Sequence, residues 1–192
     1  VNVPLIIALG AIAIVVFFLL RKLFEQEQRQ NENWETIARQ LGLALSHSNG
    51  LPHLSGRYSG YATNLRVYAE GPTTLEISVN NPSRFRLYVT QRGRLSRTLA
   101  PRELDDIALG VTEIDARFLI KASNPVLAKQ LLLSEETKSA LLRIRLCNIS
   151  VADSIISFEN LDWVTAEKVV DIEYWLFVFK LLTRVAQEVD SL

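Results

Sequence analysis

The chain has 192 residues, long enough for one domain to bury a real core, and its 21 basic side chains balance its 21 acidic ones. Zero net charge argues against nucleic acid held by bulk electrostatics. The lone Cys147 excludes an internal disulfide and suits a reducing compartment.

The first element is the uncharged run from Val3 to Leu20. About 18 residues at ~1.5 Å each give a helix of about 27 Å, close to the ~30 Å hydrocarbon core of a bilayer. The expectation is a single transmembrane helix over residues 1–22. Arg21 and Lys22 follow it at once and Arg29 lies a little further on, whereas no charge precedes it. Short basic flanks stay inside, so the bulk of the chain is expected on the cytoplasmic side of an inner membrane. A cleaved signal peptide would need a basic region in front and a small-residue site behind, and Ala11-Ile12-Ala13 sits in mid-run.

Residues 23–45 read as a helix continuing out of the membrane, a stalk and then a packing helix. Glu25 to Asn33 is uniformly polar, while Trp34, Ile37, Ala38, Leu41 and Leu45 recur on one helical face ahead of Gly42. A coiled-coil dimer is the rival, but the apolar pattern is short and breaks in the stalk.

Residues 46–192 form the expected α+β domain. Ser46 to Pro52 has loop composition, and the period then changes to two: Leu54–Tyr58 and Ala62–Ala69 around Ser59-Gly60, then Leu75/Ile77/Val79, then Phe85/Leu87/Val89. Pro101–Leu109 reads as one or two helical turns and Ile114–Ile120 as a strand. Asn124-Pro125 starts a helix to about Leu133, and Ser134 caps another reaching Arg145. Cys147–Val151 and Ile155–Glu159 suggest a hairpin. Thr165 is expected to cap a last helix whose stripe through Trp175, Phe179 and Leu182 covers one face of the sheet. The fold class that follows is a two-layer domain of mostly antiparallel sheet covered by helices, behind the transmembrane helix and stalk.

Catalytic, cofactor and metal motifs are absent. His47 and His53 are the only histidines and have no HExxH or CxxC company, so loop histidines explain them. Cys147 beside a strand reads as a small buried thiol. Gly56 and Gly60 do not lead from a strand into a helix, so they are turn residues and not a phosphate loop.

The least ordinary feature is the arginine series Arg84, Arg86, Arg92, Arg94, Arg97 and Arg102, which has no acid within it until Glu103 follows. Alternation places Arg84 and Arg86 on one face with Tyr88. From Arg57 to Arg102 eight arginines face only Glu70 and Glu76, whereas Glu103 onward carries about six more acids than bases. Pairing between the halves is the first expectation. A protein partner or lipid headgroups come next, and single-stranded nucleic acid, which basic-aromatic interleaving also suits, comes last because the net charge is zero.

The stretches WETIARQLGL, LSGRYSGYATNLRV and TEIDARFLIKASNPVLAKQLL, within residues 34–142, resemble uncharacterised bacterial proteins. These have a short membrane helix, a Trp-x-x-x-Ala-x-x-x-Gly helix end, a Gly-x-x-x-Gly hairpin and a Phe-Asp-x-x-Phe strand. Ile114 stands for the first of those phenylalanines. The resemblance implies a bacterial, single-pass membrane-anchored domain and brings no activity, cofactor or site residue. The function expected is a non-enzymatic accessory or interaction domain at the cytoplasmic face with a protein partner, its oligomeric state left open. The alternative is a lipid- or small-ligand-binding module with a cavity under the last helix. Third comes a hydrolase using His47, His53 or Cys147.

Overall fold

The computed structural model describes residues 3–69, 71–93, 101–144, 146–161 and 170–192, with side chains from residue 16 onward except 26 and 27. The chain opens with helix α1 (Val3–Leu41) and the strands β1 (Ala44–Ser48), β2 (Leu51–Tyr58), β3 (Tyr61–Arg66), β4 (Thr73–Ser78) and β5 (Leu87–Gln91). There follow β6 (Asp105–Asp106), α2 (Thr112–Arg117), β7 (Phe118–Ala122), α3 (Pro125–Leu133), α4 (Glu135–Arg143), β8 (Cys147–Ala152), β9 (Ile155–Asn160) and α5 (Ile172–Asp190).

Among the described residues the strands form one nine-stranded sheet in the order β1-β2-β3-β4-β9-β8-β5-β7-β6. Every neighbouring pair is antiparallel. The register aligns one apolar row across it, from Leu45 through Leu54, Leu65, Leu75, Phe158, Ile149 and Val89 to Ile120. Side chains alternate along a strand, so this row commits one whole face to burial. Helix α5 covers that face with Trp175, Val178, Phe179, Leu182, Val185 and Ala186, all buried. The end of α1 joins it through Trp34, Ile37, Ala38 and Leu41. The architecture is α+β with helices on a mostly antiparallel sheet, as expected.

The transmembrane helix is not supported. Among the described residues no helix is long and apolar enough to cross a membrane. The apolar run is the start of a single 39-residue helix that continues, as expected, through the stalk and ends in the domain core. Its described side chains run Val16 to Leu20 before Arg21 and Lys22 interrupt them, and Arg21 then pairs with Glu25 at 2.8 Å.

Helix α1 stops at Leu41, short of the expected Leu45. Gly42 takes φ +66°, and the amides of Gly42 and Leu43 donate to the carbonyls of Arg39 and Ala38, which closes the last turn as a Schellman motif. Leu45 consequently belongs to β1. The expected loop Ser46–Pro52 is instead a hairpin, turned at Asn49 and Gly50, both with positive φ as a type I′ turn requires.

Two further expectations fail locally. Pro101–Leu109 contains no helix; Asp105-Asp106 pairs with β7, and the Ile107 amide donates to Ile120 O. The strand expected from Ile114 begins only at Phe118. Before it, the Asp115 carboxylate accepts the amides of Leu109 (2.8 Å) and Gly110 (2.9 Å) and anchors α2. The caps at Asn124 and Ser134 form as expected. The expected cap Thr165 lies outside the described residues, and Asp171 caps α5 through the Tyr174 amide.

Candidate functional site

The sheet face opposite the apolar row is polar, and it brings together side chains far apart in sequence. Register aligns His53, Arg66, Thr74, Glu159, Asn148 and Thr90 across six strands. At its centre the Thr90 hydroxyl donates to Asn148 Oδ1 (2.5 Å), and Asn148 Nδ2 donates to Glu159 Oε2 (2.8 Å). Burial pushes the neighbouring Tyr88 phenol above its ordinary pKa; the Thr90 hydrogen bond opposes this and the Glu159 charge adds to it. Such a network fixes side-chain positions without supplying a nucleophile or a free base.

Toward the β1 edge a second chain runs through Ser46, His53, Asn64 and Arg66. His53 Nδ1 lies 3.2 Å from Ser46 Oγ, and Nε2 lies 2.5 Å from the Asn64 amide. With its amide nitrogen toward His53, Asn64 turns its oxygen to Arg66 Nε (3.2 Å) and Nη2 (3.1 Å); the reverse orientation would set donors against donors. Asn64 therefore donates to Nε2, which leaves the imidazole proton on Nδ1, directed at Ser46. That polarity is the opposite of the one a serine nucleophile needs, because the histidine must accept the hydroxyl proton.

Cys147 is fully buried on β8, and burial pushes its thiol up to about 12, with Arg117 partly opposing. Four strand steps separate β8 from β2, roughly 19 Å at the usual spacing. The structure therefore does not bring Cys147 to the histidines. Among the described residues no group of three or more His, Cys, Asp or Glu could hold a metal ion.

Four arginines of the series are among the described residues. Arg84 lies in the turn before β5 with φ +51°, off the strand alternation that would have put it beside Tyr88. Arg86 pairs with Glu103, 2.5 Å away, which links the basic stretch to the acidic half. The Glu103 carboxyl sits below its ordinary pKa, held first by its own backbone amide and then by Arg86. Arg92 Nε donates to Asp115 O at 2.7 Å, Arg102 is exposed, and Arg94 and Arg97 lie outside the described residues.

Among the described residues, open grooves flank the fold. One of about 220 Å³ lies between α4 and α5, with Thr137, Phe177, Leu181 and Arg184 among its walls. Another, of about 340 Å³, lies at the β1–β2 turn and includes His53, Arg66 and Tyr68. Sequence reading missed the second groove because it read β1 as loop; the Asn49-Gly50 dipeptide is the signal that marks the hairpin.

No protein-family model matches the chain, and no curated protein matches it. Among solved structures, the mycobacterial trehalose monomycolate transport factor TtfA superposes with a TM-score of 0.55 over 85% of this chain and 93% of that one, at 11% identity. The likeness is one of fold.

Proposed function

We propose that the protein is a non-enzymatic accessory module that works by surface contact with a protein partner. The observation that carries this reading is the filled layer beneath α5. Phe158 meets Trp175 edge-on at 6.2 Å and Tyr58 meets Phe179 at 5.7 Å, with Leu54, Leu65, Leu75 and Leu182 fully buried among them. A layer packed in this way leaves its polar sheet face and its grooves as the places where recognition occurs. The second reading, a lipid-handling module, draws on the fold shared with a trehalose monomycolate transport factor. The two meet in an accessory that assists movement of an amphiphilic cargo without enclosing it.

The test is photo-crosslinking of the full chain in its own cells. A photoreactive phenylalanine replaces Ser157 on the polar face or Phe177 between α4 and α5. A protein adduct of discrete mass from Ser157 supports the interaction reading. Lipid adducts from Phe177, with none to protein at either position, would replace it by the lipid module.

A further inference from the structure

The β1–β2 turn and the end of β3 enclose a groove whose apolar walls are Leu51, Pro52, Val67 and Tyr68 and whose polar end is His53 and Arg66. Tyr68 is 47% exposed, so its ring is open to solvent at the groove. The arginine is the informative residue. Its guanidinium is oriented by two contacts to Asn64, a neutral amide, and among the described residues no carboxylate pairs with it. The register sets it directly opposite His53 and beside Thr74 on the next strand. Asn64 is held in turn by His53, and His53 by Ser46. Three side chains thus aim one cation, and Glu76, opposite Asn64 on the same face, forms no ion pair with it. Arginine aimed in this manner retains donors for a planar or tetrahedral anion.

We propose that this groove binds a small amphiphilic anion, a phosphate or carboxylate on an apolar body. Arg66 receives the charged group, and the Tyr68 ring with Leu51, Pro52 and Val67 takes the apolar part. Asn64 is a positioning residue that sets the guanidinium plane. Nothing in this depends on whether the polar sheet face engages a protein.

The test is titration of the full chain with phenyl phosphate, with inorganic phosphate and benzyl alcohol as single-feature probes. Phenyl phosphate is expected to bind more tightly than either. Arg66→Gln weakens it roughly tenfold or more, the usual effect of losing a charge-assisted hydrogen bond. Arg66→Lys retains part of the affinity, since the charge remains without the fork. Tyr68→Ala lowers phenyl phosphate affinity and leaves inorganic phosphate unchanged. Asn64→Asp weakens every anion, because the new carboxylate competes for the guanidinium, while circular dichroism stays that of the parent. Vesicles of phosphatidylglycerol against phosphatidylcholine then separate the sources: Arg66-dependent binding to the former assigns a lipid headgroup, and soluble probes alone assign a free anion. Equal binding of phenyl phosphate by parent and Arg66→Gln, or equal affinity for benzyl alcohol, overturns the site.

Discussion

Trp34 on α1 and Trp175 on α5 meet with ring centroids 5.8 Å apart and planes tilted by 48°, each only 4% exposed. Their contact ties the last turns of the first helix to the helix that covers the sheet. Asn33 reinforces it by donating to Val170 O at 3.0 Å. The last turns of α1 and the helix α5 therefore share one core.

That contact gives the first prediction. Trp34→Ala is expected to destabilise the protein by about 3–5 kcal/mol, the range for a large aromatic removed from a packed core. Trp175→Asp costs more, since it adds an unpaired charge among Phe158, Tyr174 and Trp34. Urea unfolding of the full chain followed by circular dichroism measures both. A Trp175→Asp variant with parental stability would mean that α5 does not cover the sheet.

Asn81 supports the second. Its side chain accepts the Phe85 amide at 2.9 Å and donates to Phe85 O and Asp153 O at 2.7 and 2.8 Å, so one residue joins the turn before β5 to the β8–β9 turn. Asn81→Ala leaves these backbone groups unpaired at an expected cost of about 1–3 kcal/mol. Asn81→Asp is worse, because a carboxylate would face two carbonyl oxygens. Thermal melting of the two variants should rank them in that order.

Cys147 gives a pH prediction with a definite sign. Burial raises its thiol from 9.0 to about 12 in the folded protein, so between those values the native state keeps a proton that the unfolded chain has lost. Stability from this group is present below pH 9 and is lost as pH rises toward 12. Native protein at neutral pH should resist iodoacetamide, and labelling should track global unfolding in urea. Rapid native labelling would contradict the burial.

The His53 tautomer is open to direct measurement. Nitrogen-15 NMR should find the neutral ring protonated at Nδ1, and a fluorophosphonate probe should leave Ser46 unlabelled. A proton on Nε2, with Ser46 labelled, would reverse the hydrogen-bond polarity and reopen hydrolysis.

The sequence by itself determined those elements whose signal is local. Strands with one buried face announce themselves by alternation, as Leu75/Ile77 and Ile156/Phe158 do, and the caps at Asn124 and Ser134 carry their own hydrogen-bond acceptors. The coverage of the sheet by α5 was legible too, because its apolar stripe is wide and regular. Tertiary structure decided the rest, and the failures share a physical cause. β1 has four exposed residues in five, so it shows no alternation, and pairing with β2 makes it a strand. Ile114 and Phe118 fit both an alternating strand and one helical face, and the Asp115 carboxylate resolved this by taking the Leu109 and Gly110 amides. The apolar run from Val3 suggested a membrane span, and no described helix is long and apolar enough to be one; the helix expected to continue from it does form, to Leu41, and Trp175 holds its far end at Trp34. The groove at Arg66 was beyond sequence reading altogether. It depends on register, which places Arg66 opposite His53, and register follows from the pairing of whole strands and not from any one residue.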